Sequence, residues 1–164
     1  MRLFRIIRYI FFGVSLGLLE WLLFNIAPFF GMLRVVLMVS LVLLVRGHIS
    51  AAFVIGFSGM LVRDIGSFTF SFPLHAALFV ILITALSLFA RRLVTHHSMI
   101  GFGFFGLLGF VCFRVVTDVA QWIVVGSAHS FTFFFWTEIF LSFMIYIVIV
   151  GILQRKWGVL RVDW

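Results

Sequence analysis

Hydrophobic runs long enough to cross a membrane follow one another along this chain, with only short polar breaks between them. Apolar residues make up 65% of the sequence and charged residues 10%, whereas a soluble domain is about half apolar and about a quarter charged. No water-soluble core could contain this excess, so the bilayer must be the solvent. A helical span needs about 20 apolar residues, and the 164 residues therefore allow five or six spans. We predict an all-α polytopic integral membrane protein with a single transmembrane domain, residues 1–164.

The hydrophobic runs predict six spans, at residues 9–26, 29–45, 49–62, 73–90, 98–125 and 131–153. With six spans, both termini lie on the same side of the membrane. That side then holds nine of the twelve basic residues: Arg2, Arg5, Arg8, Arg46, Arg91, Arg92, Arg155, Lys156 and Arg161. Because basic residues are enriched in cytoplasmic loops, we expect both termini to be cytoplasmic. The net charge of +7 is then explained by topology and by contact with membrane lipids, and we expect no nucleic-acid partner.

The clearest polar interruption is the segment 63–72, which begins with the adjacent pair Arg63 and Asp64. Within a bilayer, the backbone leaves helical geometry only where protein or water satisfies its N–H and C=O groups. The segment is therefore either a turn at the outer membrane surface or a re-entrant functional break. Asp64 could cap the turn or the fourth span by accepting backbone N–H groups, or it could belong to a ligand or ion site. Both interpretations are open from the sequence.

Four further charged residues fall within apolar runs: Glu20, Arg114, Asp118 and Glu138. Intramembrane charges are costly and usually have a partner or line a water-filled site. Arg114 and Asp118 are four residues apart, so they share one helical face and can pair locally. Alternatively, Arg114 also meets Glu20 or Glu138 in a network between helices. Arg34, near the start of the second span, is expected to extend toward the membrane surface.

Small residues recur at helical spacing within the spans. Gly13 and Gly17 form one such face in the first span, and Ala52 and Gly56 form another in the third. Small residues four apart let a second helix approach closely in lipid. We therefore expect these faces to be helix–helix contacts.

The sequence offers little chemistry for catalysis. No nucleophile–base pair or paired catalytic carboxylates can be recognised, and the five histidines are spread over different loops and spans. The single cysteine, Cys112, excludes an intrachain disulfide and a multi-cysteine metal site. We predict a protein that is not an enzyme, with no catalytic residues, no metal site and no cofactor.

In the stretch from Gly56 to Leu78, Gly56 precedes Asp64 by eight residues, Ser67 follows Asp64 by three, and Pro73 opens the next span. This pattern resembles a motif of the MreD family, the polytopic subunit of the bacterial cell-elongation machinery. The short Arg-Arg loop after the fourth span also looks like the family. The chain departs from the pattern at two places. Arg63 stands where the family has an apolar residue, and Leu74-His75 stand where a glycine is common.

The resemblance implies a non-enzymatic scaffold in the bacterial inner (cytoplasmic) membrane that supports rod shape and peptidoglycan elongation. Its partners would be an MreC-like single-pass protein, whose transmembrane helix binds in a groove of small residues, and cell-wall synthases. Gly56, Asp64, Ser67 and Pro73 would then shape the outer turn.

A second function follows from the similarity in fold between MreD and the substrate-binding subunits of energy-coupling-factor transporters. In that case the protein would bind a vitamin or another small molecule. Segment 63–72 would act as a lid over an outward-facing pocket lined by Trp122, Trp136 and Arg114. The two hypotheses differ in whether the polar residues converge on a ligand-sized cavity.

Overall fold

The computed structural model describes residues 2–26, 33–67, 73–93, 99–125 and 133–157, which form six α-helices. The helices are α1 (Arg2–Ile26), α2 (Val35–Val45), α3 (Ile49–Ser67), α4 (Leu74–Leu93), α5 (Met99–Val125) and α6 (Phe133–Trp157). The prediction of an all-helical protein is confirmed. Four helices, α1, α3, α5 and α6, are long and apolar enough to cross a membrane. This arrangement is that of a multi-pass membrane protein.

The shortest helix, α2, lies at the centre of the bundle. It has 11 residues, and at about 1.5 Å per residue it is only about half as long as the hydrocarbon core is thick. It contacts each of the other five helices. Leu37, Leu41 and Leu44 on α2 are completely buried. A helix that is apolar on all sides is stable only when it is surrounded, and here the surrounding helices are those of the same chain.

A tight connection joins α2 to α3. Gly47 has a φ of 78°, a left-handed conformation that glycine adopts without the penalty of a Cβ atom. Its N–H donates to the Leu44 carbonyl at 3.0 Å, and the His48 N–H donates to the Leu43 carbonyl at 2.9 Å. These two bonds satisfy carbonyl groups at the end of α2 and form a Schellman motif.

Glycines bring α1 and α3 into close contact. A Cβ atom at Gly13 would lie 2.0 Å from the Ser58 hydroxyl oxygen and 2.4 Å from the Ile55 carbonyl oxygen. One at Gly17 would lie 2.6 Å from the carbonyl oxygen of Gly59. The predicted close-approach face of the first span is confirmed. The helix that occupies it is α3 of the same chain, so this face is not available to a partner protein.

The structure corrects the predicted break after the third span. Helix α3 continues through Ser67, so Arg63 and Asp64 lie in regular helix instead of opening the break. Arg63 pairs with Glu20 of α1, and Asp64 accepts a hydrogen bond from His75 of α4. Because both side chains have partners on neighbouring helices, α3 remains helical at these positions. The rest of the predicted break, 68–72, lies outside the described residues. So do residues 29–32 of the predicted second span.

Candidate functional site

Six charged side chains form one continuous ion-pair network through the bundle. Three are arginines and three are carboxylates, so their formal charges cancel. In order along the network they are Arg63, Glu20, Arg34, Glu138, Arg114 and Asp118. They come from α3, α1, the residue preceding α2, α6 and α5. The network therefore connects elements that are far apart in the sequence.

Glu20 lies at the α1 end of this network. Its side chain is 6% exposed, and its Oε1 atom accepts a hydrogen bond from Arg63 Nη1 at 3.0 Å. Arg34 Nη1 lies 3.9 Å from the same oxygen. The other carboxylate oxygen accepts the backbone N–H of Val36 at 3.1 Å. One carboxylate thus ties α1 to α3 and to the first turn of α2.

Glu138 lies in the middle of the network. One of its oxygens accepts a hydrogen bond from Arg34 Nε, and the other accepts one from Arg114 Nη1 at 2.9 Å. Arg114 Nε also lies 3.2 Å from Asp118. The local Arg114–Asp118 pair and the wider network were alternatives at the sequence level. Both are present, with Glu138 and not Glu20 as the second partner of Arg114.

The position of the Arg34 side chain differs from the prediction. It was expected to extend to the membrane surface, but it is only 7% exposed because its guanidinium group lies between Glu20 and Glu138. Its backbone N–H also donates to the Ser142 hydroxyl at 3.3 Å. The sequence contained no local signal for these contacts, since Arg34 and Glu138 are separated by 104 residues.

Asp64 forms a second polar site, at the start of α4. Its two carboxylate oxygens accept the backbone N–H groups of His75 at 3.1 Å and Ala76 at 2.8 Å. The His75 ring nitrogen Nδ1 lies 2.6 Å from the same carboxylate. Asp64 and His75 are 8% and 4% exposed. Of the interpretations that the sequence left open, these contacts correspond to a cap of the fourth helix, supplied by a side chain of α3.

The remaining motif residues have packing or end-of-helix positions. Gly56 lies where a Cβ atom would be 2.0 Å from the Phe79 ring and 2.6 Å from the Ser40 hydroxyl oxygen. Pro73 immediately precedes α4, and its carbonyl accepts the Ala77 N–H at 3.1 Å. Ser67 is the last residue of α3, and its side chain lies outside the described part of the structure.

The space beside the ion-pair network is small. The cavity lined by Arg34, Arg114 and Glu138 has a volume of about 10 Å³, room for about one water molecule. Trp122 and Trp136, which were expected to line a ligand pocket with Arg114, are 57% and 62% exposed on the outside of the bundle. Neither tryptophan lines the cavity at Arg114.

A much larger cavity lies elsewhere, as an apolar groove open to the surface. Its volume is about 540 Å³, and its walls come from α1, α2, α3 and α6. Arg8 is the only charged residue among those that line it.

Comparison with known proteins leaves the family open, since no protein-family model, no curated protein and no solved structure matches the chain. Within the described ranges, no group of three or more His, Cys, Asp or Glu side chains is arranged to hold a metal ion. The arrangement of the polar side chains links helices to one another, and its chemistry is that of hydrogen bonding and charge pairing.

Proposed function

We propose that this protein is a non-enzymatic membrane scaffold whose bundle holds α1 in a fixed position for a partner transmembrane helix. The observation that carries the proposal is the unusual position of α1. Only 17% of its membrane-spanning segment is buried, the lowest fraction among the four long apolar helices. A helix that gives so little of its surface to its own fold has most of that surface available for another helix.

This peripheral helix is nevertheless firmly attached. The contacts of Gly13 and Gly17 with α3 hold one face, and Glu20 adds ion pairs with Arg63 and Arg34. Removing either partner of a buried ion pair is costly, so α1 cannot easily move away from the bundle. An exposed helix in a rigid position is what a docking surface requires.

The surface offered by α1 is suited to helix packing in lipid. Leu18 and Leu22 are four residues apart, and they are 47% and 48% exposed. Residues at this spacing lie above one another on one helical face. In lipid, helices associate through close van der Waals packing and a few polar contacts, and an aliphatic face of this kind supplies the packing part.

The identity of the partner rests on the resemblance of the Gly56–Leu78 stretch to MreD. On that basis the scaffold belongs to the rod-shape complex of the bacterial cytoplasmic membrane. The helix that docks on α1 is that of an MreC-like single-pass protein, and cell-wall synthases complete the assembly.

The test is site-specific photocrosslinking in the native membrane. A photoreactive residue replaces Leu22 on α1 or, as a control, Ile81 on α4, which is 66% exposed. We expect Leu22 to crosslink to a single-pass protein with a periplasmic coiled coil, Ile81 to give no such product, and cell-wall synthases to co-purify. Recovery of an ATPase pair with a coupling membrane subunit would instead identify a transporter, and equal products from both positions would exclude α1 as the specific docking helix.

A further inference from the structure

We propose that an anionic phospholipid occupies the apolar groove on the side of the bundle where α1 begins and α6 ends. Its phosphate would lie at Arg8, and one acyl chain would extend along the groove over α2. This inference does not rest on the scaffold proposal, because it concerns the N-terminal half of α1 and a different class of ligand.

The shape and lining of the groove fit an acyl chain. The volume of about 540 Å³ falls within the usual range for small-molecule sites. Phe12 of α1, Met38 and Val42 of α2 and Ile149 of α6 supply apolar walls. Arg8, one helical turn before Phe12, places a positive charge on the same stretch of α1. An apolar wall with a cationic end matches an amphipathic molecule with an anionic head.

The charge distribution of the bundle explains why this head should be anionic. Four acidic side chains fall in the described part of the chain: Glu20, Asp64, Asp118 and Glu138. All four lie at the opposite end of the helices, in the network or at the start of α4. Arg8 is 12 residues before Glu20 on α1, a separation of about 18 Å along a helix. Arg5 and Arg155 are also exposed in the basic half. The described acidic side chains thus all lie away from this half, and a basic surface of this kind attracts anionic lipid headgroups.

The lining favours a lipid over a second transmembrane helix. Arg8 is the only charged residue among those that line the groove. Helices associate in lipid through close van der Waals packing and gain little from a single arginine, whereas an anionic headgroup interacts with it directly.

The headgroup part of the proposal is tested with the full-length protein in nanodiscs that contain equal amounts of phosphatidylglycerol and phosphatidylcholine. Native mass spectrometry then counts the lipids retained after extraction. We expect phosphatidylglycerol to be retained in excess over phosphatidylcholine. Arg8→Gln should reduce this excess about fivefold, which corresponds to the roughly 1 kcal/mol that one basic residue contributes near an anionic surface. Arg155→Gln, a change at an exposed arginine outside the groove, should preserve it. Equal retention of both lipids, or equal effects of the two variants, would overturn the proposal.

The acyl-chain part needs a change in the groove itself. Val42→Phe adds a ring to the groove wall, and Val148→Phe adds the same ring on α6 at a position that is 58% exposed and outside the groove. We expect Val42→Phe to lower the number of retained lipids, and Val148→Phe to leave it unchanged. If Val42→Phe leaves lipid retention intact but prevents recovery of a partner protein, the groove is a protein-binding site and the lipid proposal is wrong.

Discussion

Arg34 is the residue on which the polar interior depends. It lies between the carboxylates of Glu20 and Glu138 and is buried beside the central helix. Two buried carboxylates with no cation between them would repel each other and lack solvation. The guanidinium group is always charged, so a single side chain can hydrogen-bond to Glu138 and also balance the charge of Glu20.

Replacing Arg34 should therefore destabilise the protein strongly. We expect Arg34→Gln to lower the free energy of unfolding by roughly 3–5 kcal/mol, because it leaves an uncompensated buried negative charge. The double variant Arg34→Gln/Glu138→Gln restores charge balance among the remaining pairs, and it should lose less stability than the sum of the two single variants. Thermal unfolding in detergent, followed by circular dichroism, measures both effects. Arg155→Gln, at an exposed arginine, is the control, and an Arg34→Gln variant as stable as this control would contradict the role given to Arg34.

Two polar residues at which the sequence differs from the MreD motif each pair with a carboxylate in the structure. Arg63, where the family pattern has an apolar residue, pairs with Glu20. His75, where a glycine is common, pairs with Asp64. Each unexpected polar residue thus has a carboxylate partner on another helix. The departures are compatible with the fold because each polar residue is matched by an opposing group.

At the scale of the helices, α2 and α4 begin in the same way. In each case a carboxylate from the preceding long helix accepts backbone N–H groups of the first turn: Glu20 for Val36, and Asp64 for His75 and Ala76. The first N–H groups of a helix have no partner within it, and a negative charge there also interacts favourably with the helix dipole. Because no nearby water can replace these bonds inside a membrane, the carboxylates become part of the helix ends.

The cap of α4 can be tested by its effect on backbone protection. Asp64→Ala removes both acceptors and leaves two buried N–H groups without partners, which should cost about 1–3 kcal/mol of stability. Asp64→Asn keeps one acceptor oxygen and should cost less. Hydrogen exchange followed by mass spectrometry should show faster exchange in the first turn of α4 in Asp64→Ala, with α6 unchanged. Equal exchange in wild type and Asp64→Ala would show that the carboxylate is not the cap.

The contact between α1 and α3 gives a prediction about spacing. At Gly13, an alanine Cβ would meet the backbone oxygen of Ile55 at 2.4 Å, and a backbone atom cannot turn aside as a flexible side chain can. Gly13→Ala should therefore separate the two helices and reduce stability by about 1–3 kcal/mol. Gly103→Ala is the matched control, since its Cβ would meet only the flexible end of Ile147, at 3.2 Å. Similar melting temperatures for the two variants would contradict this account of the α1–α3 contact.

Across the whole molecule, sequence patterns predicted the helices and the local ion pair, but only part of the distant network. The apolar runs predicted the helices, and the spacing of Arg114 and Asp118 predicted their pair. The contact of Arg34 with Glu138 depends on how α2 and α6 are placed relative to each other, which no periodicity encodes. The end of α3 was predicted too early because Arg63 resembles a residue that leaves the membrane. The structure shows that Arg63 remains within the helix because it pairs with Glu20 of α1.

The same whole-molecule view predicts the orientation in the membrane. Carboxylates balance the arginines at one end of the bundle, while the other end carries basic residues without described acids. By the positive-inside rule, we expect the basic end to face the cytoplasm. In a Cys112→Ser background, a cysteine at His48, in the exposed α2–α3 connection, should resist a membrane-impermeant maleimide on intact cells and react after permeabilisation. A cysteine at Ser71, between α3 and α4 in the sequence, should react on intact cells. Labelling of both positions from the same side would show that α3 does not cross the membrane. The reverse pattern would place the ion-pair network in the cytoplasmic half of the membrane. The basic end would then lie on the outer side, away from the anionic inner leaflet.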